Sequence, residues 1–154
     1  MDTPVQQGQV VVRCRAVIVY EGALLVVRHA HDATFAPLPG GHLEWGEDPV
    51  TCLEREILEE LGVEPEVGRL LYVHTFTNSE GKHSVEFLFE VTNGIDFIHR
   101  TDGAGTHAYE IAETVWVSPD AELRILPQRV ATDFRTGTLF NDIPRFFSTC
   151  GANK

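Results

Sequence analysis

The chain is short of positive charge, of cysteine and of long apolar runs. Its 154 residues carry 12 lysines and arginines against 23 aspartates and glutamates, a formal net charge of −11. A field of that sign repels nucleic-acid backbones and anionic membranes, so neither a nucleic acid polymer nor a membrane is an expected partner. It repels free nucleotides as well, so an anionic substrate is expected to arrive with metal ions. The cysteines, Cys14, Cys52 and Cys150, are odd in number and lack motif spacing. That argues against a disulfide framework or a zinc site and for a reducing compartment. Cys52 reads as a packing residue, since no helper histidine is placed near it in sequence. No apolar run reaches the ~18 residues of a membrane span, and the opening MDTPVQQGQ lacks the basic and apolar segments of a secretory leader. The expected location is cytoplasmic.

What is present suits one domain over residues 1–154, with a disordered polar tail at 1–8. Val10–Tyr20 and Ala23–Arg28 are rich in β-branched residues and flank the turn signal Glu21-Gly22, which predicts a hairpin. Their continuous apolar character predicts burial on both faces, with helices on the two sides of a sheet. Further strands are expected at Arg69–Thr77, His83–Thr92 and Glu113–Val117. A helical turn is expected from Pro119 to Leu123, and a short helix over Pro127–Phe134. Residues 29–37 and 93–109 read as loops, and beyond Thr136 the signals weaken. Leu139, Phe140, Phe146 and Phe147 are expected either to cover the core or to meet a second subunit. Strands, helix, strands and helix in that order give mixed α/β.

The densest chemistry lies in GHLEWGEDPVTCLEREILEELGV, residues 41–63. Asp48 and Pro49 make an N-cap and first helical residue, and Gly62 followed by Pro65 is a stop. Between them Glu56, Glu59 and Glu60 fall at i, i+3 and i+4, three carboxylates on one helical face. Val50, Leu53, Ile57 and Leu61 form an apolar stripe expected to face the core. The crowded negative charge calls for a counter-charge. Arg55 is one candidate, and a hard divalent cation such as Mg2+, which prefers oxygen ligands, is the other.

This stretch resembles the Nudix box, G-x5-E-x7-R-E-U-x-E-E-x-G-U, where U is aliphatic. Gly41, Glu47, Arg55, Glu56, Ile57, Glu59, Glu60, Gly62 and Val63 fill every specified position. Chance agreement is on the order of one in a billion per start site, well below the usual false-positive rate of short motifs. The resemblance implies an α/β/α sandwich with a mixed sheet and the box as a loop–helix–loop at a cleft. It implies hydrolysis of a phosphoanhydride bond in a nucleoside diphosphate-linked substrate, with Mg2+ as cofactor and Mn2+ as a substitute. It assigns Glu56, Glu59 and Glu60 as metal ligands, with Gly41 and Glu47 contributing. Glu56 and Glu59 are both candidates for the general base, and Arg55 orients a box glutamate. Glu113, with Glu110 second, is the expected acidic residue from outside the box. Arg28, Phe35, Gly40, His42, Phe76 and Phe87 are candidates for substrate contact, with His74 and His83 near the cleft. Homodimers are common in similar proteins.

The resemblance leaves the substrate open. Past the box, where ADP-ribose hydrolases carry a proline and dinucleoside polyphosphate hydrolases a tyrosine, this chain has Thr77-Asn78-Ser79-Glu80. The favoured expectation is a nucleoside triphosphate cleaved to monophosphate and pyrophosphate. ADP-ribose or a nucleotide sugar comes next, and a nucleotide sensor without turnover is the alternative of a different class.

Overall fold

Two consecutive positive φ angles, +47° at Glu21 and +78° at Gly22, reverse the chain between its first two strands, the geometry that matches strand twist in a tight hairpin. The computed structural model describes residues 8–29, 32, 34–78, 80–99, 105 and 111–149. Within these, the elements in chain order are β1 (Val10–Tyr20), β2 (Ala23–His29), β3 (Ala36–Pro37), β4 (Gly40–His42), α1 (Pro49–Leu61), β5 (Val67–Thr77), β6 (His83–Val91), β7 (Ile111–Val117), β8 (Ile125–Leu126), α2 (Gln128–Thr136) and β9 (Arg145–Thr149).

The main sheet has the order β7-β2-β1-β6-β5-β9, with β4 paired to β1 off that path. It is mixed: β1–β6 and β5–β9 are parallel, and β1–β2, β1–β4, β2–β7 and β5–β6 antiparallel. β3 and β8 form a small parallel pair. Strand parity divides the core. Val17, Leu24, Val26, Tyr72 and Leu88 point to the face covered by Val130, Ala131 and Phe134 of α2. Cys14, Ala16, Ile18, Leu25, Val27 and Phe89 point to the other, covered by Cys52, Leu53, Ile57 and Leu61 of α1. Each fully buried aliphatic side chain contributes about 1.5–3 kcal/mol. The expected mixed α/β architecture, with helices on both sides of the sheet, is the one observed.

Helix α1 begins and ends where its capping residues place it. Asp48 accepts from the Thr51 N–H at 2.9 Å, and Gly62, at φ +70°, donates its N–H to Leu58 O. Val50 departs from expectation: in the first turn of the apolar stripe it stays 38% exposed, while Cys52 is fully buried. Strands β3 and β4 and the 3-10 turn Gly94–Phe97 lie in segments expected to be loop or turn, because two- to four-residue elements show no periodicity. After Pro119 there is a turn, closed by Ala121 N–H on Ser118 O at 3.1 Å, and no helix. The weakly patterned end supplies β9, whose partner is β5 in parallel register from Tyr72↔Arg145 to Phe76↔Thr149. Leu139 and Phe147 join the core, whereas Phe146 is 68% exposed.

Candidate active site

Helix α1 brings its carboxylates to the sheet at the one place where β4 presents glycine backbone. A Cβ on Gly41 would lie 2.4 Å from the Glu56 carboxyl group, and one on Gly40, at φ +142°, would lie 2.0 Å from Cys14 O. A side chain at Gly40 would strike backbone and one at Gly41 would displace the Glu56 carboxyl, so the two glycines let the acidic face approach the strand. Gly40 N–H donates to Glu60 Oε2 at 3.1 Å, which anchors a carboxylate that is only 6% exposed.

Arg55 ties the remaining glutamates together. Its Nε and Nη2 donate to the two oxygens of Glu47 at 2.5 and 3.1 Å. Nη1 reaches Glu56 at 3.0 Å and Glu59 at 3.1 Å, and Nη2 also donates to the carbonyl of His42 at 3.0 Å. The hydrogen bonds from Arg55 hold the Glu47 carboxyl at a pKa of about 2. Glu56 behaves oppositely: burial pushes it above the ordinary carboxylate value, and Arg55 only partly opposes this.

In front of the carboxylates lies a cleft of about 520 Å³. Its lining brings together Gly40, Gly41 and the carboxylates Glu56, Glu59 and Glu60, the apolar side chains Phe35, Pro37, Phe76, Leu126 and Pro127, and the polar group Arg13, Arg15, His74 and Glu86. Within that polar group, Glu86 accepts from Arg15 Nε at 3.4 Å and is bonded to His74 Nδ1 at 3.1 Å. Burial alone would raise the Glu86 carboxyl, but the His74 hydrogen bond and the charges of Arg15, His74 and Arg13 bring it below its ordinary value.

Most residues expected from the sequence meet here: Glu56, Glu59, Glu60, Arg55, Gly40, Gly41, His42, Phe35, Phe76 and His74 all line the cleft, and Glu47 joins through Arg55. Four expected residues lie away from it. Arg28 and Glu113 are cross-strand partners on β2 and β7, bound to each other at 2.9 Å. Phe87 has the opposite parity to Glu86 and packs with the α1-side core. His83 likewise lies outside the lining, and Glu110 falls outside the described residues. The sequence reading missed Arg13, Arg15 and Glu86. Their signal is a charge at alternate positions of an otherwise apolar strand, a costly placement unless the site uses it.

The NUDIX domain family model matches residues 10–135, most of the chain and all of the box. The chain belongs to the NUDIX domain family. A MutT-like protein of Streptomyces ambofaciens is 34% identical over 100 residues, which are 65% of this chain and 58% of that protein. The chain thus matches little more than half the length of this relative. The Nudix fold recurs in the MutT NUDIX hydrolase of Burkholderia pseudomallei, with TM-score 0.66 and 25% identity over 81% of this chain and 97% of that one. It recurs also in the ORF135 protein of E. coli, with TM-score 0.68 and 23% identity over 92% and 99% of the two chains.

Nudix hydrolases use divalent metal ions, and the donor set here fits one. Among the described residues no three acidic, histidine or cysteine groups already stand in ligating geometry; Arg55 is bound to Glu47, Glu56 and Glu59. The ligand chemistry is nonetheless all hard oxygen, with carboxylates in excess over their one arginine, and the side-chain-free backbone at Gly41 lets the Glu56 carboxyl rest directly against the strand. Glu56, Glu59 and Glu60 are the residues that would hold the ion.

Proposed function

We propose that this protein is a metal-dependent hydrolase of a phosphoanhydride bond in a nucleoside diphosphate-linked substrate, best matched by a nucleoside triphosphate cleaved to monophosphate and pyrophosphate. The observation that carries this reading is the meeting of the box carboxylates with aromatic and cationic side chains in one cleft. Mg2+, with Mn2+ as a substitute, would supply charge neutralisation on phosphate oxygens and acidify the attacking water. Water oxygen bonds to phosphorus, the P–O bond of the anhydride breaks, and the water proton passes to a carboxylate. Glu56 and Glu59, both bound by Arg55, are the candidate acceptors. Arg55 orients both, and Phe35 and Phe76 offer apolar surface to a base. The buried free thiols Cys14 and Cys52 suit the reducing cytoplasm.

The test is a phosphate- and pyrophosphate-release screen with Mg2+ over nucleoside triphosphates, ADP-ribose, nucleotide sugars and dinucleoside polyphosphates, with Glu59→Gln and Glu60→Gln in parallel. Turnover that collapses in both variants supports the reading. Nucleotide binding with no turnover under Mg2+ or Mn2+ replaces it with the sensor.

A further inference from the structure

Three arginines line the cleft, and two of them are committed to carboxylates. Arg55 is held by Glu47, Glu56 and Glu59, and Arg15 by Glu86, with further bonds from Arg15 to the carbonyls of Leu38 and Gly40. Arg13 differs. Among the described residues it has no ion pair, and its side-chain hydrogen bond is a 3.3 Å donation from Nε to His42 Nε2. That bond uses His42 as an acceptor, so it brings no negative charge. Arg15, two residues along β1, projects from the same face and repels it.

The surroundings are unfavourable to a lone cation. Partial burial and the charge of Arg15 weaken the hold of Arg13 on its proton, and Glu86 opposes this only from beyond ion-pair distance. Arg13 and Arg15 thus set two like charges beside one carboxylate, at a cost, in a protein of net charge −11. A visiting anion would offset that cost.

Its place in the fold says which anion. Arg13 is in register with His42, and His42 follows Gly41, against which Glu56 rests. Arg13 therefore lines the cleft beside the carboxylates, where the proposed reaction cleaves the anhydride. The bond that breaks is flanked by phosphates in every substrate of this reaction. A nucleoside triphosphate adds one more, and a nucleotide sugar carries a neutral sugar there instead.

We propose that Arg13, with His42 behind it, is a subsite for the terminal phosphate of a nucleoside triphosphate and so selects triphosphates over nucleoside diphosphate sugars. This rests on the hydrolase reading for its substrate class, but anion binding at Arg13 can be tested without turnover.

Two measurements decide it. The first is the affinity of wild type, Arg13→Gln and Arg13→Lys for inorganic tripolyphosphate, by calorimetry in metal-free buffer. The second is the ratio of kcat/KM for nucleoside triphosphates to that for ADP-ribose. Arg13→Gln is expected to weaken tripolyphosphate binding about tenfold or more, the scale of a charge-assisted hydrogen bond, and to lower the ratio by a similar factor. Arg13→Lys, which keeps the charge and loses the planar fork, should fall between, and serves alone if the glutamine variant does not fold. Unchanged tripolyphosphate binding in the variants, or an equal fall for both substrates, overturns the subsite. Wild type that turns over neither substrate, yet loses tripolyphosphate on Arg13→Gln, removes the hydrolase reading and leaves the anion site standing.

Discussion

Arg55 grips Glu47, eight residues earlier, with two parallel donors: Nε to Oε1 at 2.5 Å and Nη2 to Oε2 at 3.1 Å. A planar guanidinium can do this while its remaining nitrogen reaches Glu56 and Glu59, and an ammonium cannot. Arg55→Lys is therefore expected to fold and to lose about 10–100-fold in kcat, the usual scale for a residue that orients metal ligands. Steady-state kinetics with Mg2+ beside a thermal melt check this; unchanged kcat would show that the fork is dispensable.

Gly40 and Gly41 are adjacent, but replacing them should have different consequences. The Gly41→Ala methyl meets the end of a side chain, Glu56, which can swing away and leave its working position. Activity should fall about 10²-fold or more with the fold retained. The Gly40→Ala methyl meets backbone, Cys14 O, and φ there is +142°, so this variant should lose stability first, by about 2 kcal/mol or more. Denaturant melts and kinetics on the pair distinguish the two; equal stability would sink the argument.

Glu86 is the buried acceptor for both Arg15 and His74. Glu86→Gln should cost about 3–5 kcal/mol at neutral pH, because the buried His74 and the half-buried Arg15 lose their anion. The sign of the pH dependence follows from the lowered carboxyl pKa. A depressed acid contributes stability above its unfolded value, near 4.3, and loses it as pH falls through the folded one. The gap between wild type and variant should therefore be full at neutral pH and shrink below about pH 4.3. Urea titrations across that range test it, and a gap that widens on acidification would contradict it.

Metal should report on the box carboxylates even without substrate. Saturating Mg2+ is expected to raise the melting temperature of wild type, with about 2.7 kcal/mol of stabilisation at one hundred times its Kd. Glu56→Gln should abolish most of that rise, and chelation should remove activity reversibly. An equal Mg2+ response in the variant would take Glu56 out of the ligand set.

By itself the sequence determined the local facts. Asp48, Pro49 and Gly62 bound α1 because caps act within a turn of the chain, and the spacing of Glu56, Glu59 and Glu60 placed them on one face because helical periodicity is local. The β1–β2 hairpin was legible for the same reason, a two-residue turn between β-branched runs. Tertiary structure decided which strand faces meet. Arg28 and Glu113 lie 85 residues apart and became each other's partner through β2–β7 register. Phe87 turned from the cleft and Glu86 into it because neighbouring residues on a strand face opposite ways. Arg13, Arg15 and Glu86 came together only when β1 and β6 paired in parallel, 73 residues apart at Arg13↔Glu86. Strand β9 formed because β5 offered it an edge, a pairing that no local pattern encodes. Short-range geometry is written in neighbouring residues, whereas register and parity are set by partners distant in the chain.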